Sequence, residues 1–189
     1  DEVYAERFAE LGVRRDRIVV TGSLKYDTAL LADRVPGDDR LAEAVGLDRG
    51  RPLLVAGSTG PGEEEMLLAA LAHLRIDHPG LQLAVIPRKP ERFEEVARLI
   101  EARGFRGTRR SRRPDGAAPS AVAPTPAEPP AVVLGDTMGD LRKFYALADV
   151  VFVGRSLVPM GGSDLMEVAG LGRPMCFGPQ VENFLEVAE

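Results

Sequence analysis

The most chemically suggestive turn of the chain is Gly161-Gly162-Ser163-Asp164, which follows an apolar run at 150–153. Asp164 suits a helix N-cap, and Glu167 three residues later completes a capping-box pattern. Glycines let a ligand approach the backbone, and free N–H groups at a helix start favour anions. The pattern predicts a phosphate- or nucleotide-binding turn in which Glu167 accepts hydrogen bonds from sugar hydroxyls. On geometry alone, an ordinary strand-to-helix connection is the simpler interpretation.

Further charged residues follow other apolar runs. Arg88 and Lys89 directly follow one such run, and a guanidinium pairs bidentately with phosphate or carboxylate. The alternative is that both cations pair with Glu91 or Glu94 on a solvated helix start. Asp140 either caps the helix predicted to begin after it or contacts a ligand.

Strand-like and helix-like segments alternate along the chain, which predicts an α/β fold. The predicted strands cover residues 17–20, 52–57, 81–87, 131–135, 150–153 and 174–177. The predicted helices cover residues 2–11, 38–45, 63–76, 90–103 and 141–148, with others after the turns at 22, 164 and 182. Such alternation favours a Rossmann-like parallel sheet with helices on both faces, whose polar turns line up along one ligand-binding edge.

Length and composition predict one domain, residues 1–189, cut at both ends and interrupted by an insertion at 107–130. The insertion is rich in Pro, Ala and Arg and nearly free of large apolar residues, which predicts disorder. Five arginines cluster at its start and form either a solvated basic loop or a patch for anionic lipid surfaces: Arg106, Arg109, Arg110, Arg112 and Arg113. The net charge of −5 does not indicate a nucleic-acid-binding protein.

The chain lacks the residues that several common classes of functional site require. The two histidines, His73 and His78, are interpreted as surface residues, and the single cysteine, Cys176, as a buried reduced thiol. No metal or cofactor is therefore expected. The segment 22–25 contains a lysine after a glycine turn but lacks P-loop spacing. No run of about 18 apolar residues predicts a membrane span.

Taken together, the turns resemble those of the 3-deoxy-D-manno-octulosonic acid (Kdo) transferases, which add Kdo to lipid A precursors. The matching segments cover nearly the whole chain outside 107–130. They are residues 20–27, 56–64, 87–93, 134–141, 144–146 with 148–149, and 156–162, with Gly178-Pro179 and Asn183-Phe184. Each motif alone has low specificity, whereas their number and order are specific.

The resemblance implies the C-terminal half of a GT-B glycosyltransferase fold, which binds the donor CMP-Kdo. The family's acceptor domain, which binds the lipid A precursor, associates with the membrane surface and carries the glutamate base, would lie outside this chain. No catalytic residue is therefore expected here. The implied reaction is inverting transfer in lipopolysaccharide biosynthesis, at the cytoplasmic face of the bacterial inner membrane.

The resemblance also assigns donor contacts to three turns. The implied residues are Pro87 and Arg88, then Met138, Gly139 and Asp140, then Asp164, Leu165, Met166 and Glu167. In this assignment Arg88 stabilises charge on the departing cytidine monophosphate, and Glu167 holds the ribose hydroxyls.

The chain departs from the family pattern at several positions, including Asp140, where the family usually has a glutamate. Gly60, Lys89 and Ser163 replace histidines, Asp164 replaces an asparagine, and Arg155 replaces a glycine. Asp164 adds a negative charge near an anionic donor. This charge should disfavour binding unless Arg155 or Lys89 neutralises it, and we hypothesise that Arg155 does so.

Two alternative functions remain open at this point. One is a GT-B enzyme that uses a UDP-sugar, such as a lipid A disaccharide synthase or a UDP-GlcNAc epimerase. The other is a nucleotide-binding domain without turnover.

Overall fold

The computed structural model describes residues 2–21, 32–114 and 131–188. The chain divides into two compact units, Asp1–Leu30 and Leu31–Glu189. The first contains helix α1 (Glu2–Glu10) and a short 3-10 helix (Arg15–Arg17). The predicted strand at 17–20 is wrong. Val19 is largely exposed and no strand pairs with this segment in the described part of the chain, so β-propensity had no neighbouring strand to act with. The helix predicted after residue 22 begins outside the described residues.

The second unit is built on a sheet of six parallel strands in the order β3-β4-β2-β1-β5-β6. The strands are β1 (Leu53–Thr59), β2 (Gln82–Pro87), β3 (Gly107–Arg109), β4 (Val132–Leu134), β5 (Val150–Val153) and β6 (Met175–Phe177). The helices are α2 (Asp38–Val45), α3 (Glu63–Leu74), α4 (Phe93–Ala102), α5 (Leu141–Leu147), α6 (Met166–Ala169) and α7 (Leu185–Ala188), with 3-10 helices at Pro90–Arg92 and Arg110–Arg112. The predicted Rossmann-like sheet is confirmed.

Helices cover both faces of this sheet, because each central strand is apolar on both sides. One core joins α2, α5 and α6 to strand residues such as Val55 and Val153. The other joins α3 and α4 to the alternate residues, including Ala56 and Phe152. Strands buried on both faces read as continuous apolar runs, which explains why the sequence predicted β1, β2 and β5 well.

The start of the predicted disordered insertion is ordered, which corrects its boundary. Residues 107–109 form edge strand β3, which pairs with β4, and Arg110–Arg112 form a 3-10 helix. The physical reason is ion pairing, since Arg109 and Arg110 bind buried aspartates. Residues 115–130 lie outside the described residues. Both the disorder of this stretch and the inclusion of the whole chain in one domain stay predictions.

Cys176 is exposed rather than buried, because β6 is the other edge strand of the sheet. In the described part of the chain, no helix has the length and apolar character needed to cross a bilayer. The same residues contain no group of three His, Cys, Asp or Glu side chains arranged to hold a metal ion.

Candidate functional site

The carboxyl ends of the parallel strands share one edge, and the strand order changes direction beside β1. This strand pairs with β2 on one side and with β5 on the other. In open α/β sheets, ligands bind outside such a reversal point. The turns after β2, β4 and β5, which carry the predicted site residues, all lie along this edge.

A buried carboxylate holds the turns after β1 and β5 together. Glu63 opens α3, and its side chain is completely buried. Its Oε2 accepts hydrogen bonds from the backbone N–H groups of Gly60 (2.8 Å) and Arg155 (2.6 Å). Its Oε1 accepts from the N–H groups of Ser156 and Leu157, both at 2.9 Å. The N–H groups that could have bound a ligand's anion at this turn therefore bind a carboxylate of the protein itself.

The adjacent Glu64 is also fully buried and also internally paired. Its carboxylate accepts hydrogen bonds from Arg92 Nη1 (2.6 Å) and Nη2 (3.1 Å) and from Thr59 Oγ1 (2.7 Å). This pairing joins the end of β1 to the 3-10 helix at Pro90–Arg92. The acidic start of α3 is thus a structural anchor, although the sequence pattern alone shows only an acidic first helical turn.

Tyr145 lies buried beneath the reversal point. Its hydroxyl faces Gly57 so closely that a Cβ at Gly57 would collide with it. Burial raises the pKa of Tyr145 well above its ordinary value, and the nearby charges of Glu167 and Asp164 raise it further, while a hydrogen bond with Ser58 opposes the shift. The hydroxyl of Tyr145 therefore stays protonated, and it lies beneath Asp164 and Glu167.

Arg88 lies at this edge as predicted, immediately after β2. Its guanidinium is exposed and forms no hydrogen bond or ion pair with any residue the structure describes. The two glutamates predicted as alternative partners of Arg88 bind other residues. Glu91 pairs with Lys89 at 3.7 Å, and Glu94 pairs with Arg109. Arg88 is thus a cation available to a ligand.

The turn after β5 brings Asp164 and Glu167 to the same place. Asp164 Oδ1 accepts a hydrogen bond from the N–H of Met166 (2.9 Å), the first residue of α6. The N-cap position itself is occupied by Leu165, so the predicted N-cap is wrong by one residue. The reciprocal half of the predicted capping box is absent, because the Glu167 carboxylate accepts no hydrogen bond from the described residues. The helix itself has only four residues, so its dipole contributes little.

The electrostatics of Glu167 show which charges surround it. Neighbouring protein partly displaces water from the carboxyl group, and this desolvation raises the pKa of Glu167. The charge of Asp164 raises it further, whereas the charges of Arg142 and Arg88 lower it. Arg88, Arg142, Asp164 and Glu167 therefore form one charged group around the edge, above Tyr145.

Other predicted site residues have side chains committed to the fold. Pro87 is buried at the end of β2, and Leu165 packs in the core beneath α6. Met166 is half-buried, and its N–H is used by Asp164. Contacts of these three residues with a ligand remain predictions.

The turn after β4 presents Met138 and Gly139 at the surface, with Gly139 at a φ of +89° that favours glycine. Asp140 is buried, and its Oδ2 accepts hydrogen bonds from Arg110 Nε (2.9 Å) and Thr137 Oγ1 (2.8 Å). Its Oδ1 binds Lys143 Nζ at 2.8 Å. The side chain of Asp140 is therefore an internal anchor, and it makes no capping hydrogen bond to α5.

The hypothesis that Arg155 neutralises Asp164 is wrong. Arg155 Nη2 binds the carbonyl oxygen of Met160 at 3.1 Å, and its side chain lies against Gly60, where a Cβ would be 3.3 Å from Arg155 Cγ. Arg155 has a φ of +62°, a conformation that glycine adopts without strain. Its side chain thus fills the space beside Gly60. The Ser163 hydroxyl is buried without a partner among the described residues.

Sequence reasoning missed four residues of this edge: Glu63, Tyr145, Arg142 and Arg110. Their roles depend on partners that are distant in sequence, such as Ser156, which lies 93 positions after Glu63. A local signal for Glu63 was Gly62 immediately before it, at a φ of +91°, and both Glu63 and Tyr145 lie within segments that match the family.

No protein-family model matches the chain. It is 34% identical over 187 residues to a 3-deoxy-D-manno-octulosonic acid transferase of Haemophilus influenzae, covering 99% of this chain and 41% of that protein. A Bordetella pertussis protein of the same name is 37% identical over 172 residues, covering 89% of this chain and 37% of that protein. The chain thus spans about two fifths of the length of these relatives.

A solved structure decides the family. The crystal structure of the C-terminal CMP-Kdo binding domain of WaaA from Acinetobacter baumannii matches with a TM-score of 0.67 and 32% identity, over 80% of this chain and 73% of that one. The chain belongs to the Kdo transferase family. Its sheet corresponds to the C-terminal domain of that family, as the sequence predicted. The contacts described above are therefore those of a Kdo transferase domain.

Proposed function

We propose that this chain is the donor-binding domain of a Kdo transferase and that it binds CMP-Kdo at the carboxyl edge of its sheet. The similarity to a crystallised CMP-Kdo binding domain supports the choice of ligand. The arrangement of charges around the strand-order reversal supports the choice of place.

The main observation behind the proposal is which charged side chains are paired within the protein and which are not. Glu63, Glu64 and Asp140 are buried and hydrogen-bonded within the protein. Arg88 and Glu167 are exposed, and their side chains lack a hydrogen-bonding partner in the described part of the chain. A cation beside a free carboxylate suits a nucleotide, because the phosphate needs a donor and the ribose hydroxyls need an acceptor.

Arg88 then acts on the charge that develops during transfer. The acceptor hydroxyl oxygen attacks the anomeric carbon of Kdo, a base outside this chain takes its proton, and the bond to the phosphate oxygen breaks. Cytidine monophosphate leaves with the electron pair and gains a negative charge. A guanidinium held at the phosphate interacts more strongly with this leaving group than with the intact donor, which lowers the barrier.

The same proposal covers the whole protein. A further domain holds the lipid A precursor and the base, and inverting transfer of Kdo belongs to lipopolysaccharide biosynthesis at the cytoplasmic face of the inner membrane. The acceptor geometry follows from a two-domain GT-B arrangement, in which this chain supplies the donor half of the cleft.

Calorimetric titration of the full-length protein with CMP, CMP-Kdo and UDP-GlcNAc tests the ligand. The proposal predicts that both cytidine nucleotides bind and that UDP-GlcNAc does not. Preference for UDP-GlcNAc would instead support a UDP-sugar enzyme. Absence of all binding would support a domain without donor-binding function.

A substitution of Arg88 tests the proposed location of the donor site. We expect Arg88→Gln to lower kcat/KM by about 100-fold, because one positioned donor to a developing charge is lost. Lys89→Gln is the matched control, since Lys89 is the next residue, is exposed and pairs only weakly with Glu91 at 3.7 Å. Equal effects of the two substitutions would show that general surface charge, rather than Arg88, attracts the donor.

A further inference from the structure

Two buried aspartates bracket the exposed turn that follows β4. Asp136 and Asp140 are 6% and 7% exposed, whereas Met138 between them is 69% exposed. The turn therefore projects toward solvent from two anchored ends. The contacts of Asp136 and Asp140 therefore determine the position of Met138 and Gly139.

Both anchors are bound by one short segment, Arg109-Arg110-Ser111. Arg109 Nε binds Asp136 Oδ2 at 2.7 Å, and Ser111 donates to the same carboxylate through its N–H (2.7 Å) and its Oγ (2.6 Å). Arg110 Nε binds Asp140 Oδ2 at 2.9 Å. We call these five residues the clamp. It joins the end of β3 to the turn.

We infer that Arg110 is a positioning residue of the donor site, which fixes the turn at Met138 and Gly139 through Asp140. The inference rests on the proposed function, because it assumes that this turn contacts the nucleotide. Arg110 is 7% exposed and also bonds the carbonyl oxygen of Arg113, so it acts through Asp140 rather than by touching the donor.

The clamp has an electrostatic consequence as well. Asp136 and Asp140 would place two negative charges beside an anionic donor if they were unpaired. Burial alone would raise the pKa of Asp140, but hydrogen bonds from Lys143, Thr137 and Arg110 outweigh it and keep the pKa below its ordinary value. Asp140 is thus ionised, and nearby cations balance its charge. Loss of Arg110 leaves that charge only partly neutralised.

The test uses the full-length protein, CMP as the binding probe, and the variants Arg110→Met, Arg110→Lys and Arg112→Met. Arg112 is the matched control, because it belongs to the same 3-10 helix and is exposed. Arg110→Met should weaken CMP binding by about ten-fold or more, since small displacements of binding groups have effects of this size or larger. Arg110→Lys should recover part of the loss, and Arg112→Met should resemble the wild type.

Two further readouts separate positioning from general loss of structure. With Arg110→Met, the KM for CMP-Kdo should rise while the KM for the lipid acceptor stays constant, and amide hydrogen exchange should accelerate at 136–140. A lowered kcat with an unchanged donor KM, or unchanged exchange in the turn, would overturn the inference. If the wild type itself fails to bind CMP, the proposed function fails, and the exchange data still decide whether Arg110 holds the turn.

Discussion

The most informative single perturbation of this fold is Glu63→Gln, which changes one oxygen to an NH₂ group at almost constant volume. The carboxylate accepts four backbone N–H groups, two on each oxygen. An amide retains one acceptor oxygen and therefore two of these bonds. The other two N–H groups then face a donor.

The magnitude follows from those two orphaned donors. Each buried N–H left without an acceptor costs about 1–3 kcal/mol, so the free energy of opening these turns should fall by about 4 kcal/mol. At about 1.4 kcal/mol per factor of ten, amide exchange governed by this local opening should accelerate by about three orders of magnitude.

Hydrogen-exchange mass spectrometry of the full-length protein measures this directly in peptides covering 57–62 and 154–158. Glu65→Gln is the control, because Glu65 lies on the same helix but is exposed and pairs with Arg103 at the surface. Unchanged protection of both peptides in Glu63→Gln would refute the reasoning that this carboxylate joins the turns after β1 and β5.

Two further substitutions test the charges of the site. Asp164→Asn should tighten CMP binding about five-fold, because removal of one nearby negative charge is worth about 1 kcal/mol. The same substitution should lower the pKa of Glu167, because the charge of Asp164 raises that pKa. An NMR titration of the Glu167 carboxyl group measures this change. Arg155→Gly should leave the calorimetric CMP affinity within about two-fold of the wild type, because its guanidinium binds the carbonyl of Met160 and not Asp164. A large loss of affinity in this variant would restore the rejected hypothesis that Arg155 compensates Asp164.

The elements of the sheet were predictable where burial on both faces produces a continuous apolar run. This condition holds for β1, β2 and β5, which lie inside the sheet. It fails for β3, whose sequence Gly-Thr-Arg is polar and whose place depends on ion pairs with aspartates 25 or more residues away. The predicted strand at 17–20 shows the opposite error, because apolar β-branched residues alone do not create a neighbouring strand.

The candidate site was predictable to a similar extent. Arg88 stood out because it lies just after an apolar run, where a parallel sheet presents side chains at one edge. Glu167 stood out because it follows a Gly-Gly turn and lies three residues after Asp164. The ligand contact that the resemblance assigned to Asp140 stays a prediction, and the sequence does not reveal that Arg110 and Lys143 bind its carboxylate oxygens. Residue type and position thus indicate which side chains reach the edge, whereas tertiary contacts decide which remain free.

The central claim is that CMP-Kdo binds between the turns after β2 and β5. A crystal structure of the full-length protein with CMP tests it most directly. The account predicts the phosphate at the Arg88 guanidinium and the ribose hydroxyls at the Glu167 carboxylate. CMP bound at another place, with Arg88 and Glu167 both exposed to solvent, would contradict it.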